Sequence, residues 1–241
     1  MHSVQLFITC LIDSFYPQTG EAVVDILRRL GVTTDFAADQ TCCGQPNFNA
    51  GLRAEARPIA EHTIRVFEKT IGDIVTPSGS CAHMFKHGYP ELFQDDRVWL
   101  PRAQAFGRRV YEFTEYVVDK LGITDVGARW DGVLCYHPSC HTLLGVKVDR
   151  QPRELLANVR GAQVVELPQA DECCGFGGIF SVEHPELSAE WLKRKIDNFE
   201  NAHSPILVVT DAGCLMHIAG GLHRQGKSQE VLHIAEILNN R

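Results

Sequence analysis

The sequence lacks the long hydrophobic run that a membrane-spanning helix requires. No apolar stretch reaches about 18 residues, the length typical of such a helix. The first residues also lack the basic segment, apolar segment and cleavage site of a secretion signal. Basic runs are missing too, and the formal net charge of −7 argues against a general nucleic-acid surface. We therefore expect a cytoplasmic protein with no membrane span and no nucleic-acid partner.

Two familiar binding fingerprints are missing as well. The glycine-rich residues 175–178 follow a cysteine pair and do not fit the G-x-G-x-x-G pattern of a dinucleotide site. No two cysteines have the C-x2-C spacing from which a zinc knuckle usually draws its ligands. The sequence therefore indicates neither a flavin or nicotinamide site nor a small local zinc motif.

Cysteine, by contrast, is abundant. Nine cysteines in a chain without a secretion signal are poorly explained by disulfides, because the cytosol keeps thiols reduced. Eight of them form two matched sets with the spacings C-x31-CC-x37-C and C-x32-CC-x39-C. The first set is Cys10, Cys42, Cys43 and Cys81, and the second set is Cys140, Cys173, Cys174 and Cys214. Equivalent members lie 130, 131 and 133 positions apart, which indicates an internal repeat.

The pattern of strands and helices repeats with the cysteines. Short apolar runs predict strands at residues 4–8, 32–36 and 74–76, and again at 132–136, 163–167 and 206–210. Helical spacing is found at residues 18–30, 51–70, 152–159 and 186–200, with similar closing helices at 110–116 and 231–237 and a longer connection at 86–108. We therefore predict an α/β fold of two tandem, pseudo-symmetric β/α modules, residues 1–125 and 126–241, with parallel sheets and covering helices.

The matched cysteines all follow predicted strands. Because the carboxyl ends of parallel strands gather at one edge of a sheet, each half should bring four sulfur atoms together. Gly44 and Gly175 follow the two Cys-Cys pairs and are our candidate cofactor-binding glycines, since glycine permits a sharp turn and leaves room for a bound group. Gly177 and Gly178 are explained equally well as ordinary turn residues.

Four thiolates can hold either an iron–sulfur cluster or a zinc ion. Ligands that come from three separate strand ends favour a multinuclear centre, so we expect up to two [4Fe–4S] clusters and keep zinc as the alternative. His217 lies three residues after Cys214 and could bind the same metal, or it could lie on a helix surface. His137 and His141 flank Cys140, where each is a less favoured candidate for a hydrogen bond to a cluster or for proton transfer to a substrate.

Two further residues near the motifs are predicted to be structural. Cys135 has no counterpart in the first half, where Gln5 takes its place, and it is expected to be a small buried strand residue. Met84 follows Cys81 by three residues, and it is expected to contribute to packing. No catalytic residue can be assigned from the sequence.

The motifs resemble those of a known family. The two Cys-Cys-Gly modules are similar to the cysteine-rich CCG domain found in the heterodisulfide reductases and in glycolate oxidase iron–sulfur subunits. The motifs Tyr136-His137-Pro138-Ser139-Cys140, Cys173-Cys174-Gly175-Phe176-Gly177-Gly178 and His233-Ile234-Ala235-Glu236 most resemble the lactate utilization protein A family. The resemblance implies an iron–sulfur subunit of an L-lactate-oxidising complex that works with a ferredoxin-like iron–sulfur subunit and a third small subunit.

The sequence departs from the fuller CCG motif at one position in each half. That motif ends in C-x2-C, whereas Met84 and His217 occupy the last position here. The cluster with five cysteine ligands that the heterodisulfide reductases contain is therefore not expected in this protein. Three functions remain, in this order: a redox subunit in L-lactate oxidation, a zinc-binding scaffold without redox activity, and a thiol–disulfide protein that uses the cysteine pairs. Glycolate or another 2-hydroxy acid remains an alternative substrate.

Overall fold

Two four-stranded parallel sheets form the framework of the protein. The computed structural model describes residues 2–241. The first sheet contains β1 (His2–Leu6), β2 (Val32–Phe36), β3 (Asp73–Thr76) and β4 (Val110–Glu112), in the order β2-β1-β3-β4. The second sheet contains β5 (Arg129–His137), β6 (Arg160–Glu166), β7 (Ile206–Val209) and β8 (Glu230–His233), in the order β6-β5-β7-β8. The identical strand order confirms the predicted α/β fold of two pseudo-symmetric β/α modules.

Helices connect the strands and cover the sheets. In the first half they are α1 (Cys10–Phe15), α2 (Pro17–Arg29), α3 (Gln45–Asn49), α4 (Arg53–Glu68), α5 (Gly79–His83), α6 (Tyr89–Leu92), α7 (Trp99–Gly107) and α8 (Phe113–Glu115). In the second half they are α9 (Arg150–Ala157), α10 (Phe180–Glu183), α11 (Pro185–Asn201), α12 (Ala212–Arg224) and α13 (Ile234–Asn239). Three π-helical turns are found at Met84–Gly88, Tyr116–Lys120 and His141–Gly145. Within residues 2–241, every helix is too short or too polar to cross a membrane.

The two predicted closing helices are only partly helical. Residues 110–116 and 231–237 each begin as a fourth strand, β4 beside β3 and β8 beside β7. Glu112 and His233 then form capping boxes with Glu115 and Glu236, so the change from strand to helix falls at the capping residue. The prediction of three strands per half was wrong because the apolar spacing of so short a segment fits both structures.

The connection at residues 86–108 is longer than its counterpart in the second half, as predicted, and α6 and α7 occupy much of it. These helices carry aromatic side chains into a core of the first half. The Phe85 ring lies 4.7 Å from Phe7 and 5.1 Å from Phe106, both in edge-on geometry. Such edge-on contacts between buried rings favour a defined packing and explain why an irregular loop is not found here.

The closing helix of each half packs against the other half. Helix α13 lies on α2, where Thr19 Oγ1 donates a hydrogen bond to Glu236 Oε1 at 2.8 Å and Arg29 donates to the Leu238 carbonyl at 2.9 Å. The helical segment at 113–120 in turn contacts α9. One hydrophobic core therefore contains residues of both halves, among them Val4 and Leu134. The module boundary between residues 125 and 126 stays a prediction. Residues on both sides of this boundary belong to one hydrophobic core.

Candidate metal centre

The first four matched cysteines lie together at the carboxyl ends of three strands. Cys10 begins α1 after β1, Cys42 and Cys43 follow β2, and Cys81 lies in α5 after β3. The Sγ atoms of Cys10 and Cys42 are 3.7 Å apart, and those of Cys43 and Cys81 are 3.4 Å apart. Gly44 has a φ of +80°, which allows the chain to turn directly after the cysteine pair. We refer to these cysteines as the first quartet.

The second quartet repeats this geometry. Its members, Cys140, Cys173, Cys174 and Cys214, follow β5, β6 and β7. The Sγ atoms of Cys140 and Cys173 are 4.0 Å apart, and those of Cys174 and Cys214 are 3.4 Å apart. Gly175 has a φ of +90°, and its backbone N–H donates to Cys173 Sγ at 3.3 Å. Its conformation and the close approach of the Ser188 carbonyl both exclude a larger residue.

Both quartets open into one cavity. All eight cysteines line this cavity, which has a volume of about 210 Å³. The repeat spacing predicts the two quartets separately, but it does not predict that they face each other. Their common cavity results from the packing of one module on the other.

A buried carboxylate joins the two halves beside the quartets. Asp211 Oδ2 accepts hydrogen bonds from Ser78 Oγ at 2.8 Å and from the Ser80 backbone N–H at 3.0 Å. Its Oδ1 accepts from the Gly213 N–H at 2.9 Å, so one side chain contacts the turns before Cys81 and Cys214. The sequence analysis missed this residue. The only signal for it was that Ser78 and Asp211 are both helix-capping residue types three positions before the last cysteine of each set.

Hydrogen bonds between neighbouring thiols lower the pKa of one cysteine in the first quartet and of two in the second. In the second quartet, the bond from Cys174 is the largest cause that lowers the pKa of Cys214 to about 6. The hydrogen bond from the Cys10 thiol is the largest of the causes that lower the pKa of Cys42 to about 2. The equivalent bond from Cys140 is the largest cause that lowers the pKa of Cys173 to about 2. The same bonds raise the pKa of the two donors, Cys10 and Cys140, above the ordinary range. The thiolate is the form of cysteine that binds metals. Cys42 and Cys173 are therefore the cysteines whose ionisation the two quartets favour most.

Comparison with known proteins agrees with this geometry. A family model described as the CCG cysteine-rich domain matches twice, at residues 4–86 and 134–219. Lactate utilization protein A of Geobacillus sp. (strain WCH70) is 50% identical over 240 residues, with 99% of both chains covered. The chain belongs to the lactate utilization protein A family. The homologue from Anoxybacillus flavithermus is 48% identical over 99% of this chain and 100% of its own, and that from Exiguobacterium sp. is 45% identical over 99% and 98%.

Of the histidines near the second quartet, His137 is the one whose ring nitrogen lies near two of its sulfur atoms. A ring nitrogen of the fully buried His137 and the Sγ atoms of Cys174 and Cys214 all lie within 4.8 Å of one another. His141 Nδ1 is 3.8 Å from Cys140 Sγ. His217 instead has its Nε2 3.3 Å from Ser188 Oγ, with its ring against Phe176, and its role as a ligand stays a prediction.

The remaining candidates near the motifs lie in apolar surroundings. Cys135 is fully buried on β5, where burial is the largest cause that raises its pKa to about 12. Met84 is buried in the core of the first half, in agreement with the packing role expected for it. Phe176 is half-buried, lines the cavity and packs against the core around Cys214. Cys135 thus lies in the core without lining the cavity, whereas all eight matched cysteines line it.

The donor set fits a multinuclear iron–sulfur centre and also fits zinc. Four thiol groups per quartet satisfy either group. The sulfur separations of 3.4–4.0 Å are close to the roughly 3.8 Å that a tetrahedral zinc site with 2.3 Å bonds implies. The cavity, however, corresponds to the liquid volume of several water molecules at about 30 Å³ each. This volume exceeds what a single ion occupies and leaves room for a larger bound group.

Proposed function

We propose that the chain is an iron–sulfur subunit of an L-lactate-oxidising system and takes part in its electron transfer. The lactate substrate is suggested by the names of relatives that are 45–50% identical over nearly the full length. The metal centre is suggested by the two quartets. The observation that carries the proposal is that eight thiol groups, in two matched sets, line a single cavity of about 210 Å³.

Each residue set has a defined role in this proposal. Cys10, Cys42, Cys43 and Cys81 would hold one [4Fe–4S] cluster, and Cys140, Cys173, Cys174 and Cys214 would hold another. Such clusters exchange single electrons when bound. Gly44 and Gly175 let the backbone turn beside the sulfur atoms, and Asp211 fixes the two cysteine-bearing turns relative to each other. The buried positions of Cys43 and Cys174 keep these parts of the site away from water.

A second candidate function, a zinc-binding scaffold, is favoured by one observation. The sulfur separations of 3.7 Å between Cys10 and Cys42 and 4.0 Å between Cys140 and Cys173 are near the roughly 3.8 Å of a mononuclear tetrahedral site. In that case the protein would organise other subunits of the lactate system without exchanging electrons. The zinc scaffold explains the four thiol groups of each quartet, but it gives no reason for a common cavity of this size.

We expect protein purified without oxygen to contain iron and acid-labile sulfide. The reason is the donor set of two complete thiol quartets beside a cavity large enough for inorganic cores. Metal and sulfide analysis should give about four irons and four sulfides per occupied quartet, with a broad visible absorbance that bleaches on reduction. Stoichiometric zinc without sulfide, in protein handled anaerobically throughout, would refute the iron–sulfur proposal and establish the scaffold.

We also propose that the chain acts with a ferredoxin-like iron–sulfur subunit and a third small subunit. The first quartet reaches the surface through Cys10, which is exposed, whereas Cys43 and Cys81 are buried. A redox partner could therefore approach the first centre closely. The glycine-rich loop at residues 173–178 is a second candidate for this contact, and it carries Phe176, which is half-buried against the core.

The isolated chain is expected to oxidise L-lactate slowly or not at all. The sequence shows no nicotinamide or flavin fingerprint, so the chain has no recognised acceptor for the hydride of lactate. Lactate-dependent reduction of an artificial electron acceptor should be measured with and without the purified partner subunits. Activity should be found only in the mixture. Full oxidation of L-lactate by the isolated chain would contradict the proposal that partner subunits are required.

A further inference from the structure

The second quartet has an additional donor that the first quartet lacks. His137 lies at the end of β5, three residues before Cys140. The residue at the equivalent place in the first half is Phe7, three residues before Cys10. Phe7 packs in an aromatic cluster with Phe85. The repeat therefore places an imidazole beside one quartet and a hydrocarbon ring beside the other.

The His137 ring is buried without satisfying its polar atoms. It is fully buried, and neither ring nitrogen has a hydrogen-bond partner anywhere in residues 2–241. An unpaired buried polar group costs about 1–3 kcal/mol, and among the buried side chains of residues 2–241 only His137 has two such atoms. His233 is also fully buried and its Nε2 is unpaired, but its Nδ1 accepts a hydrogen bond from the Ala235 N–H at 3.2 Å and caps α13.

The unpaired ring faces sulfur atoms. A ring nitrogen of His137 lies within 4.8 Å of the Sγ atoms of both Cys174 and Cys214. Three donors within that distance of one another can reach a common metal centre, since metal–nitrogen and metal–sulfur bonds are about 2.0–2.3 Å long. A neutral imidazole is among the commonest metal ligands in proteins. His137 thus places a ring nitrogen without a protein partner at a position where a metal ligand would lie.

We propose that His137 binds the metal centre of the second quartet through a ring nitrogen, so that the two centres of this chain differ chemically. This inference rests on the metal-binding function proposed above. The first centre would have four cysteine ligands, whereas in the second the imidazole would take the coordination position of one of the four thiolates. Replacement of thiolate by neutral imidazole ligation raises the reduction potential of iron–sulfur centres. The second centre is therefore the one with the higher potential.

The test uses the full-length chain with Cys43→Ser, which leaves only the second quartet complete. Histidine is supplied with ¹⁵N, and pulsed electron paramagnetic resonance is recorded on the anaerobically reduced protein. We expect the strong coupling of a directly bound nitrogen, changed by the isotope. The reciprocal variant Cys174→Ser, which leaves only the first quartet complete, should show no such coupling.

The ligand is then identified with variants in the Cys43→Ser background. Adding His137→Phe, which copies the first half, should abolish the coupling, whereas adding His141→Phe or His217→Phe should leave it. Loss of the coupling in either of the latter variants, or its absence from the Cys43→Ser protein itself, would overturn the proposal. If His137→Phe does not fold, the His141 and His217 variants still decide, because retention of the coupling in both leaves His137 as its source near this quartet.

The metal analysis separates this inference from the proposed function. If the protein contains zinc and no sulfide, the iron–sulfur proposal fails, but the ligand question remains measurable. X-ray absorption at the zinc edge of the Cys43→Ser protein should then show one nitrogen among the sulfur ligands. A shell of sulfur alone would overturn the proposal for His137 whichever metal is bound.

Discussion

Replacing Cys174 with serine is expected to remove one of the two proposed metal centres and about half of the bound metal. Cys174 is buried, its Sγ is 3.4 Å from that of Cys214, and it lines the cavity. A serine hydroxyl is a poor substitute for the thiolate that binds metal. The first quartet shares no cysteine with the second, so its centre should persist in the variant.

Cys135→Ser is the matched control for this variant. Cys135 is also buried in the second half and lies in the same hydrophobic core, but it does not line the cavity. Both substitutions therefore bury a similar hydroxyl, and only one of them removes a matched cysteine. Iron, sulfide and zinc should be measured per folded chain in both variants. Equal metal loss in the two proteins would mean that the second quartet is assigned incorrectly.

Gly79→Ala is expected to lower the free energy of unfolding by about 2–3 kcal/mol, as overpacking of a close-packed site typically does. Gly79 begins α5 in the first half, and a Cβ at this position would lie 2.7 Å from the Cα of Thr142 in the second half. This neighbour is backbone, so it cannot rotate away. Thr142 follows Cys140 by two residues, and we therefore expect the metal content of the second quartet to fall as well.

The control for Gly79→Ala is Gly220→Ala in α12. A Cβ at Gly220 would meet only Arg224 Nη1, at an ordinary contact distance of 3.7 Å. Alanine in a helix is favoured over glycine by up to about 1 kcal/mol, so this variant should be as stable as the parent or slightly more stable. Chemical denaturation of both proteins, with metal analysis, measures the difference. A Gly79→Ala protein as stable as the control would show that the two halves do not pack this tightly beside the quartets.

The sequence alone determined the repeat, the ligand candidates and most of the secondary structure. The central strands β1 and β3, and their counterparts β5 and β7, were predictable because buried parallel strands leave continuous apolar runs. The two quartets could be expected at strand ends because parallel strands gather their carboxyl ends at one edge. These features depend on local periodicity and on chain order, which a single sequence contains.

The tertiary structure decided how the two halves meet. No local pattern shows that the quartets line one cavity, that Asp211 accepts a hydrogen bond from Ser78 of the other half, or that α13 packs against α2. His137 likewise differs from an ordinary core histidine only by its position relative to Cys174 and Cys214. These relations depend on contacts between residues more than 30 positions apart, which arise when apolar faces are buried together. Spacing within one half cannot specify them.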